Sequence, residues 1–584
     1  MLDPRIYRAA FLPVLFVLVL VGFSLREQPR GVTTPLASEA FDGVGAFAQL
    51  RRLAAEAPAR EPGSIGDRRV AARVRDGLRA NGFDVSTRSF SAQTSVGERQ
   101  VETVIGQRTG FSSRRILVVA ARDAIGSPAT AQLSGTAALL ELARVLGART
   151  LDRTLVLASV SGGLDAAREL AEHPGGSVDA VLVLGDMAGT ATRQPLVVPW
   201  GDAAAVAPLE LRRTVELALA REAGLGTRRA RPATQFTRLA VPLTPGLQGP
   251  FVGAGLPAVL LSASGERQPA ADQQVSEARM TVFGRAALRA ISALDAAGDV
   301  AAPEAYVMIE RKLLPEWPVR LLGAALLLPV LLAAIDGFAR VRRRQEPVGR
   351  WLRWVAACAL PFVLALLLTI LLKLTGLLEA APPGPVAIAD VPRDGTALAA
   401  IVSVLVVIAL GWFALRPLVT RWWGAAGDPA TPGAAAAVLL VLCAVALVVW
   451  IVNPYTALLL IPALHLWLLA IAPEVRLHPF AALAMFLAGL LPPLLIAYSY
   501  ARQFGLDPLE LAWTGLLLVA GGTIGPLAAL LWAVLLGCTG AVLTIVLRAS
   551  WHGGPEAQAP VTVRGPKTYA GPGSLGGTES ALRR

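Results

Sequence analysis

The sequence predicts an α/β domain with a mostly parallel sheet, followed by an α-helical polytopic membrane domain. Residues 31–317 alternate short apolar runs with helical periodicity, the pattern that βαβ units produce. From Pro318 the pattern changes to apolar blocks, most of them near the 20 residues that cross a bilayer. The chain is 54% hydrophobic with a mean hydropathy of +0.55, above the usual range of a soluble domain, and the excess lies in residues 10–25 and 318–548.

In chain order, residues 1–30 read as an N-terminal transmembrane anchor. Arg5 and Arg8 precede an apolar run over 9–25, and VGFSLREQPR offers no clean small-x-small cleavage site. The run therefore reads as an uncleaved anchor with a cytoplasmic amino end, which places residues 31–317 outside the cytoplasm. Within that domain the spacing predicts helices at 41–55, 67–81, 134–147, 163–172, 208–223 and 275–297. Strands are expected at 83–90, 101–105, 116–121, 154–160, 180–184 and 257–262. The stretch RILVVAARDAIGSPATAQLSGTAALLELAR, residues 115–144, reads as a buried strand, a loop and a helix entered through Ser134 and Gly135. Open α/β sheets put their chemistry at such strand ends.

Seven apolar blocks follow, at 318–338, 351–378, 396–415, 433–452, 454–472, 479–500 and 509–548. The last is long enough for two short spans around GGTIGP, so the membrane domain 318–548 has seven or eight helices and the chain eight or nine spans, nine being favoured. The loop after the first block carries Arg340, Arg342, Arg343, Arg344, Arg350 and Arg353, the signature of a cytoplasmic loop. The next loop, 379–395, is acidic and Pro-rich, as an outer loop can be. Nine spans would put the tail, 549–584, outside, whereas Arg548, Arg564, Lys567, Arg583 and Arg584 favour the cytoplasm. The tail's Gly, Pro, Ser and charge predict disorder. The chain reads as a multi-pass plasma-membrane protein.

The formal charge of +12 is explained by arginines beside spans, and nucleic acid is not expected as a partner. All three cysteines, Cys358, Cys443 and Cys538, lie in apolar blocks, so the exposed domain has neither disulfide nor thiol chemistry. Its one histidine, His173, falls at a helix end, where an imidazole commonly interacts with the dipole. In the membrane region His465 is the candidate for function, with Pro462 one turn before it and a kink expected at Pro492 and Pro493.

Six segments occur in a telling order: REPGSIGDRRVAARVRDGLRANGFDV, VETVIGQRTG, LSGTAALLELARVL, RTLVLASVSGGLDAARELA, VLVLGDMAGT and GLPAVLLSASGERQPAAD. Together, over 58–295, they resemble the zinc aminopeptidase and glutamate-carboxypeptidase-like family. That resemblance implies an α/β fold built around two co-catalytic zinc ions. The ligand positions depart from it. Where the family has H-x-D, this chain has Ala121, Arg122 and Asp123. The bridging carboxylate falls on Thr130 or Ala131, the catalytic glutamate pair on Val160 and Ser161, and the late histidine on Gln268. Only Asp186 matches a ligand position.

A zinc pair held by nitrogen and oxygen would be expected to use at least one imidazole per ion, since carboxylates alone suit harder cations. The chain therefore looks like a pseudoenzyme with no catalytic residue and no cofactor. Its vestigial pocket is expected to hold Arg122, Asp123, Asp165, Asp186 and Gln268, with Arg122 in the vacated metal position paired to Asp186. An anchor, a ligand-poor peptidase-like domain and a multi-span region are also similar in arrangement to the attachment subunit of the GPI transamidase. This implies a binding or scaffold role toward a peptide, protein or lipid-linked partner. The arrangement is similar as well to membrane metallopeptidases of the endoplasmic reticulum, which keep their zinc ligands. Two alternatives stay open: an active zinc metallopeptidase of aminopeptidase type with displaced ligands, and a transporter or lipid-handling protein. The Arg- and Ala-rich composition suggests a bacterial source.

Overall fold

The computed structural model describes residues 4–551, apart from 35–37, 225–229, 379–380, 382–383, 386–390, 392, 473 and 476. Helix α1 (Pro4–Phe23) leads through β1 (Arg26–Glu27) into α2 (Gly43–Glu56) and α3 (Ile65–Ala80). Both helices start at side-chain caps: Asp42 accepts from Gly45 N, and Ser64 from Asp67 N, each satisfying a backbone donor that the first turn leaves open. Next come a long hairpin, β2 (Asp84–Thr94) and β3 (Gly97–Arg108), then β4 (Ser112–Ala121), α4 (Ser134–Gly147), β5 (Arg153–Val160), α5 (Gly163–Glu172) and β6 (Val178–Leu184). Then follow β7 (Val197–Val198), α6 (Leu209–Ala223), α7 (Pro232–Ala240), α8 (Gln248–Gly253), β8 (Ala258–Leu261), α9 (Glu277–Asp295), β9 (Tyr306–Ile309) and β10 (Lys312–Pro315).

The main sheet has seven strands in the order β2-β3-β5-β4-β6-β8-β7. Its centre, β5-β4-β6-β8, is parallel, while the β2–β3 hairpin and β7 add antiparallel edges. Both faces are covered. Ile116, Val118 and Ala120 of β4 pack with α2, α3, α4 and α9, whereas Leu117 and Val119 pack with α5, α7 and α8. This period-2 division is why the central strands read as continuous apolar runs. Gly135 lets α4 enter directly over the sheet, since a Cβ there would meet Leu184 O at 2.4 Å.

Strands β1, β7, β9 and β10 and helices α7 and α8 were not legible. Strands of two to four residues show no period, and β1-β10-β9 joins residues 26–27 to 306–315 across the whole domain.

The bundle comprises α10 (Glu316–Arg343), α11 (Val348–Leu374), α12 (Gly395–Leu410), a π-helical turn at Gly411–Leu415, α13 (Arg416–Trp422), α14 (Pro432–Val452), α15 (Pro454–Ile471), α16 (Pro479–Phe504), α17 (Pro508–Ala520) and α18 (Pro526–Trp551). Among the described residues, seven helices are long and apolar enough to cross a membrane. A bent pair within α16, Pro479–Gly489 and Leu491–Phe504 at 42°, makes an eighth candidate.

The block 509–548, favoured above as two spans, holds one helix of that length. Helix α17 has 13 residues, and Thr523, just beyond it, bonds Gly384, whose backbone lies against Leu164 of α5. At its other end, Arg267 of the α/β domain donates to Gln503 O just before α17, so both ends of α17 lie on the side of that domain. The tail beyond Trp551 is outside the described residues.

The α/β domain is seated on the bundle by specific bonds. Asn453, at the start of α15, accepts from Tyr455 N and Thr456 N and donates to Leu239 O at 2.8 Å. Thr456 donates to Ala240 O, and Tyr500 to Val241 O. Arg267 reaches the Gln503 and Arg502 carbonyls. Asn453→Ala removes a helix cap and orphans a buried carbonyl, so we expect a loss of about 2–3 kcal/mol. Thermal unfolding of the full-length protein in detergent should show a melting point several degrees lower, and an unchanged melting point would refute this seating.

Candidate functional site

The carboxyl ends of β4, β5, β6 and β8 converge where the sequence placed its candidates, but the residues form two polar clusters rather than one. The first is built on Arg60, Asp67, Arg122, Asp123 and Ser161. Arg122 leaves the end of β4 fully buried, and its Nε lies 2.7 Å from Asp67 Oδ1. That contact runs off the N–H axis, so it is an ion contact rather than an aligned hydrogen bond. Nη1 and Nη2 donate to Ser159 O at 2.7 Å and Glu102 O at 2.5 Å. The other carboxylate oxygen of Asp67 accepts from Gly63 N and Ser161 Oγ at 2.9 and 2.8 Å. Arg60, also fully buried, donates to the Ala57, Arg122, Pro128 and Ala129 carbonyls.

The second cluster surrounds Asp186, 2% exposed at the end of β6. Oδ1 accepts from Ala188 N at 3.1 Å and Gly189 N at 2.6 Å, while Oδ2 accepts from Ser264 Oγ at 2.5 Å and Gln273 Nε2 at 3.0 Å. Ser134 Oγ stands 3.5 Å from Oδ1. Neutral donors therefore hold this carboxylate. The pairing expected between Arg122 and Asp186 does not form, because all three faces of the guanidinium are engaged by Asp67 and two carbonyls.

The remaining candidates scatter. Gln268 is exposed, and Gln273, five residues on, takes the place near Asp186 where Gln268 was expected. Asp165, in the first turn of α5, pairs with Arg168 Nη1 at 2.7 Å and accepts from Gln93 N. His173 ends α5 with Nδ1 3.2 Å from Glu169 O. In the bundle, His465 Nε2 lies 3.0 Å from Leu326 O and Nδ1 lies 3.3 Å from Tyr7 Oη. A carbonyl only accepts, so Nε2 carries the proton and Nδ1 accepts from Tyr7. The imidazole thereby ties α15 to α10 and α1.

Asp67 and Arg60 were missed as members of the centre. Asp67 sits three residues after Ser64, which makes it look like a solvated first-turn acid. Arg60 stands in the REPGS segment, where the resemblance attached no chemistry to it.

Asp123 accepts from Gly162 N at 3.1 Å. Burial, then the neighbouring Asp67 charge, pushes its carboxyl up from 3.8 to about 6, against the pull of Gly162 N–H and Arg122. The folded value exceeds the unfolded one, so this group's stabilisation is full below about pH 4 and is lost as pH rises through about 6. Asp123→Asn is therefore expected to raise the melting temperature at pH 8, with the gain vanishing by about pH 4. A gain independent of pH would refute the assignment.

No protein-family model matches the sequence, and no curated protein matches it. Solved structures similar to this chain include a zinc aminopeptidase from Bacillus subtilis, at 12% identity and a TM-score of 0.36, covering 43% of this chain and 94% of that one. A leucine aminopeptidase precursor from Bacteroides thetaiotaomicron matches at 13% identity and a TM-score of 0.36, covering 45% and 99%. A glutaminyl cyclase from an Acidobacteriales bacterium matches at 17% identity and a TM-score of 0.35, covering 46% and 100%.

The residues at the strand ends do not fit a zinc pair. Among the described residues, no three His, Cys, Asp or Glu side chains are grouped to hold a metal ion. Two buried guanidinium groups stand at the Asp67–Asp123 centre and would repel a divalent cation. Both oxygens of Asp186 already accept hydrogen bonds. Ser161 is fully buried, and its hydroxyl donates to Asp67 Oδ2 at 2.8 Å.

Proposed function

We propose that this chain is a plasma-membrane, multi-pass protein whose α/β domain is a peptidase-like module that binds or scaffolds a partner without hydrolysing it. One observation carries the reading: the Arg122 guanidinium, ion-paired with Asp67, stands at the strand end where the family resemblance puts a metal ligand. A cation built into the chain there balances the buried carboxylate charge that a metal would otherwise balance. The partner class this reading favours is a peptide, a protein or a lipid-linked molecule presented at the membrane. A cytoplasmic amino end and an extracytoplasmic α/β domain are supported by the arginines at 340–353, which close the ends of α10 and α11 remote from that domain.

The test uses the full-length protein purified without chelator. Metal content by mass spectrometry should stay well below one zinc per chain, and leucine p-nitroanilide should not be cleaved with or without added zinc. Stoichiometric zinc together with chelator-sensitive cleavage would establish the alternative, an active aminopeptidase with displaced ligands.

A further inference from the structure

Below the α/β domain, α15, α16, α17 and α18 enclose a cavity of about 340 Å³. Its roof is Val241 and Leu243 of the domain, and Trp467 of α15 lies at its deep end. From Thr456 to Trp467, eleven residues at 1.5 Å each, it is roughly 16 Å deep. The bend in α16 gives it width, since Pro493 and Ile496 on the outer segment and Gly489 on the inner one all line the space.

The wall offers nothing to a polar solute. Thr456 and Tyr500 donate to Ala240 O and Val241 O, Thr514 and Thr539 to Glu510 O and Leu535 O, and Trp467 to Phe486 O. A cavity whose polar groups are satisfied internally stays dry and takes apolar ligands. Two of its lining residues on α18, Trp532 and Leu536, are 40% and 47% exposed, so the space has a flank toward the bilayer.

At its mouth the chemistry changes. Leu243 and Pro385 are shared with a small recess lined by Arg168, Asp202, Thr244 and Thr523. An apolar slot that continues into a recess carrying one cation and one solvent-exposed carboxylate matches an amphipathic molecule lying along the membrane normal. We infer that the cavity holds a hydrocarbon chain of a membrane lipid, with the lipid's polar head outside its mouth, over the rim of the recess, which at about 20 Å³ admits a single polar group beside Arg168 and Asp202.

The recess also joins the bundle to the strand-end centre. Arg168 pairs with Asp165, and Asp165 accepts from Gln93 N on the β2–β3 hairpin. A head group drawing on Arg168 competes with Asp165 for the guanidinium. The lipid site lies apart from the Arg122–Asp67 centre, and its test reads lipid retention, so it stands or falls separately from the non-hydrolytic reading.

The experiment reconstitutes the full-length protein in phosphatidylglycerol vesicles doped with a diazirine-acyl phosphatidylglycerol, followed by photolysis and peptide mapping. Label is expected on the cavity faces of α15, α16 and α18. Gly515→Trp adds bulk at the lining, starting from a position where a Cβ meets nothing within 4 Å. It should cut that label at least five-fold with the melting temperature preserved. Ala497→Leu, on the opposite wall, repeats the test should the first variant misfold. Label confined to the outer flanks of the bundle, or unchanged in both variants, would overturn the chain site. Competition by unlabelled phosphatidylglycerol and by a glycosyl diacylglycerol then separates a phosphate head from a sugar head. Arg168→Gln should weaken competition by the phosphate lipid alone if the guanidinium holds a phosphate, and by the glycolipid if it holds hydroxyls. No change toward either would overturn the head-group assignment.

Discussion

Arg122→Met is expected to destabilise the α/β domain by about 3–5 kcal/mol, the cost of stranding one partner of a buried ion pair. The side chains of Arg122 and Asp67 are 0% and 1% exposed. Without the guanidinium, Asp67 keeps Gly63 N and Ser161 Oγ as donors but loses the cation in contact with it, leaving only the more distant Arg60 as countercharge, and the carbonyls of Ser159 and Glu102 lose a donor each. At 2–4 °C per kcal/mol for a domain of this size, the melting temperature of the full-length protein should fall on the order of 10 °C at a fixed scan rate. Arg122→Lys should rescue little, because one ammonium cannot serve a carboxylate and two carbonyls on separate strands. The double variant Arg122→Met/Asp67→Leu should recover a large part of the loss, so its destabilisation falls well short of the sum of the two single losses. Additive losses would mean that the two groups do not act as a pair, and the charge-replacement account would fail with them.

The parts of this chain that were legible are those in which local pattern and final environment agree. β4, β5, β6 and β8 are buried on both faces, and a doubly covered strand is an uninterrupted apolar run in sequence. Pro492 and Pro493 predicted a break in α16. It falls between Gly489 and Leu491, on the turn whose carbonyls a proline ring displaces.

At the strand ends the residue types were legible but their contacts were not. That Ala121, Val160 and Gln268 cannot ligate zinc follows from their chemistry alone. That Arg122 turns to Asp67 depends on how α3 lies against the sheet, a contact between residues 55 positions apart. No spacing rule reaches that far. Gln273 displaced Gln268 for a related reason: the loop after β8 has no period, so counting cannot say which of its amides points inward. Apolar length likewise bounded the last membrane block without revealing that α17 stays on one side of the bundle.

The opposite outcome is expected at Asp186, the one position that the sequence resemblance aligns with a metal ligand. As a metal ligand it would be held chiefly by the ion, and Asp186→Asn would leave the metal-free fold intact. Here its two oxygens accept four hydrogen bonds, two from backbone N–H groups and two from Ser264 and Gln273. An asparagine has one acceptor oxygen and an NH₂ group that can only donate. With its oxygen toward Ala188 and Gly189, the amide can donate to Ser264 Oγ once that hydroxyl rotates, but it confronts the Gln273 Nε2 donor. With the amide flipped, two backbone N–H groups that cannot rotate away are left unpaired. Either orientation forfeits bonds to a charged acceptor and leaves at least one donor unpaired, for a loss of about 2–4 kcal/mol. The melting temperature of the full-length variant should drop by roughly 5–10 °C, and EDTA should move neither wild type nor variant. A variant as stable as wild type, with EDTA lowering only the wild-type melting temperature, would instead mark Asp186 as a working metal ligand.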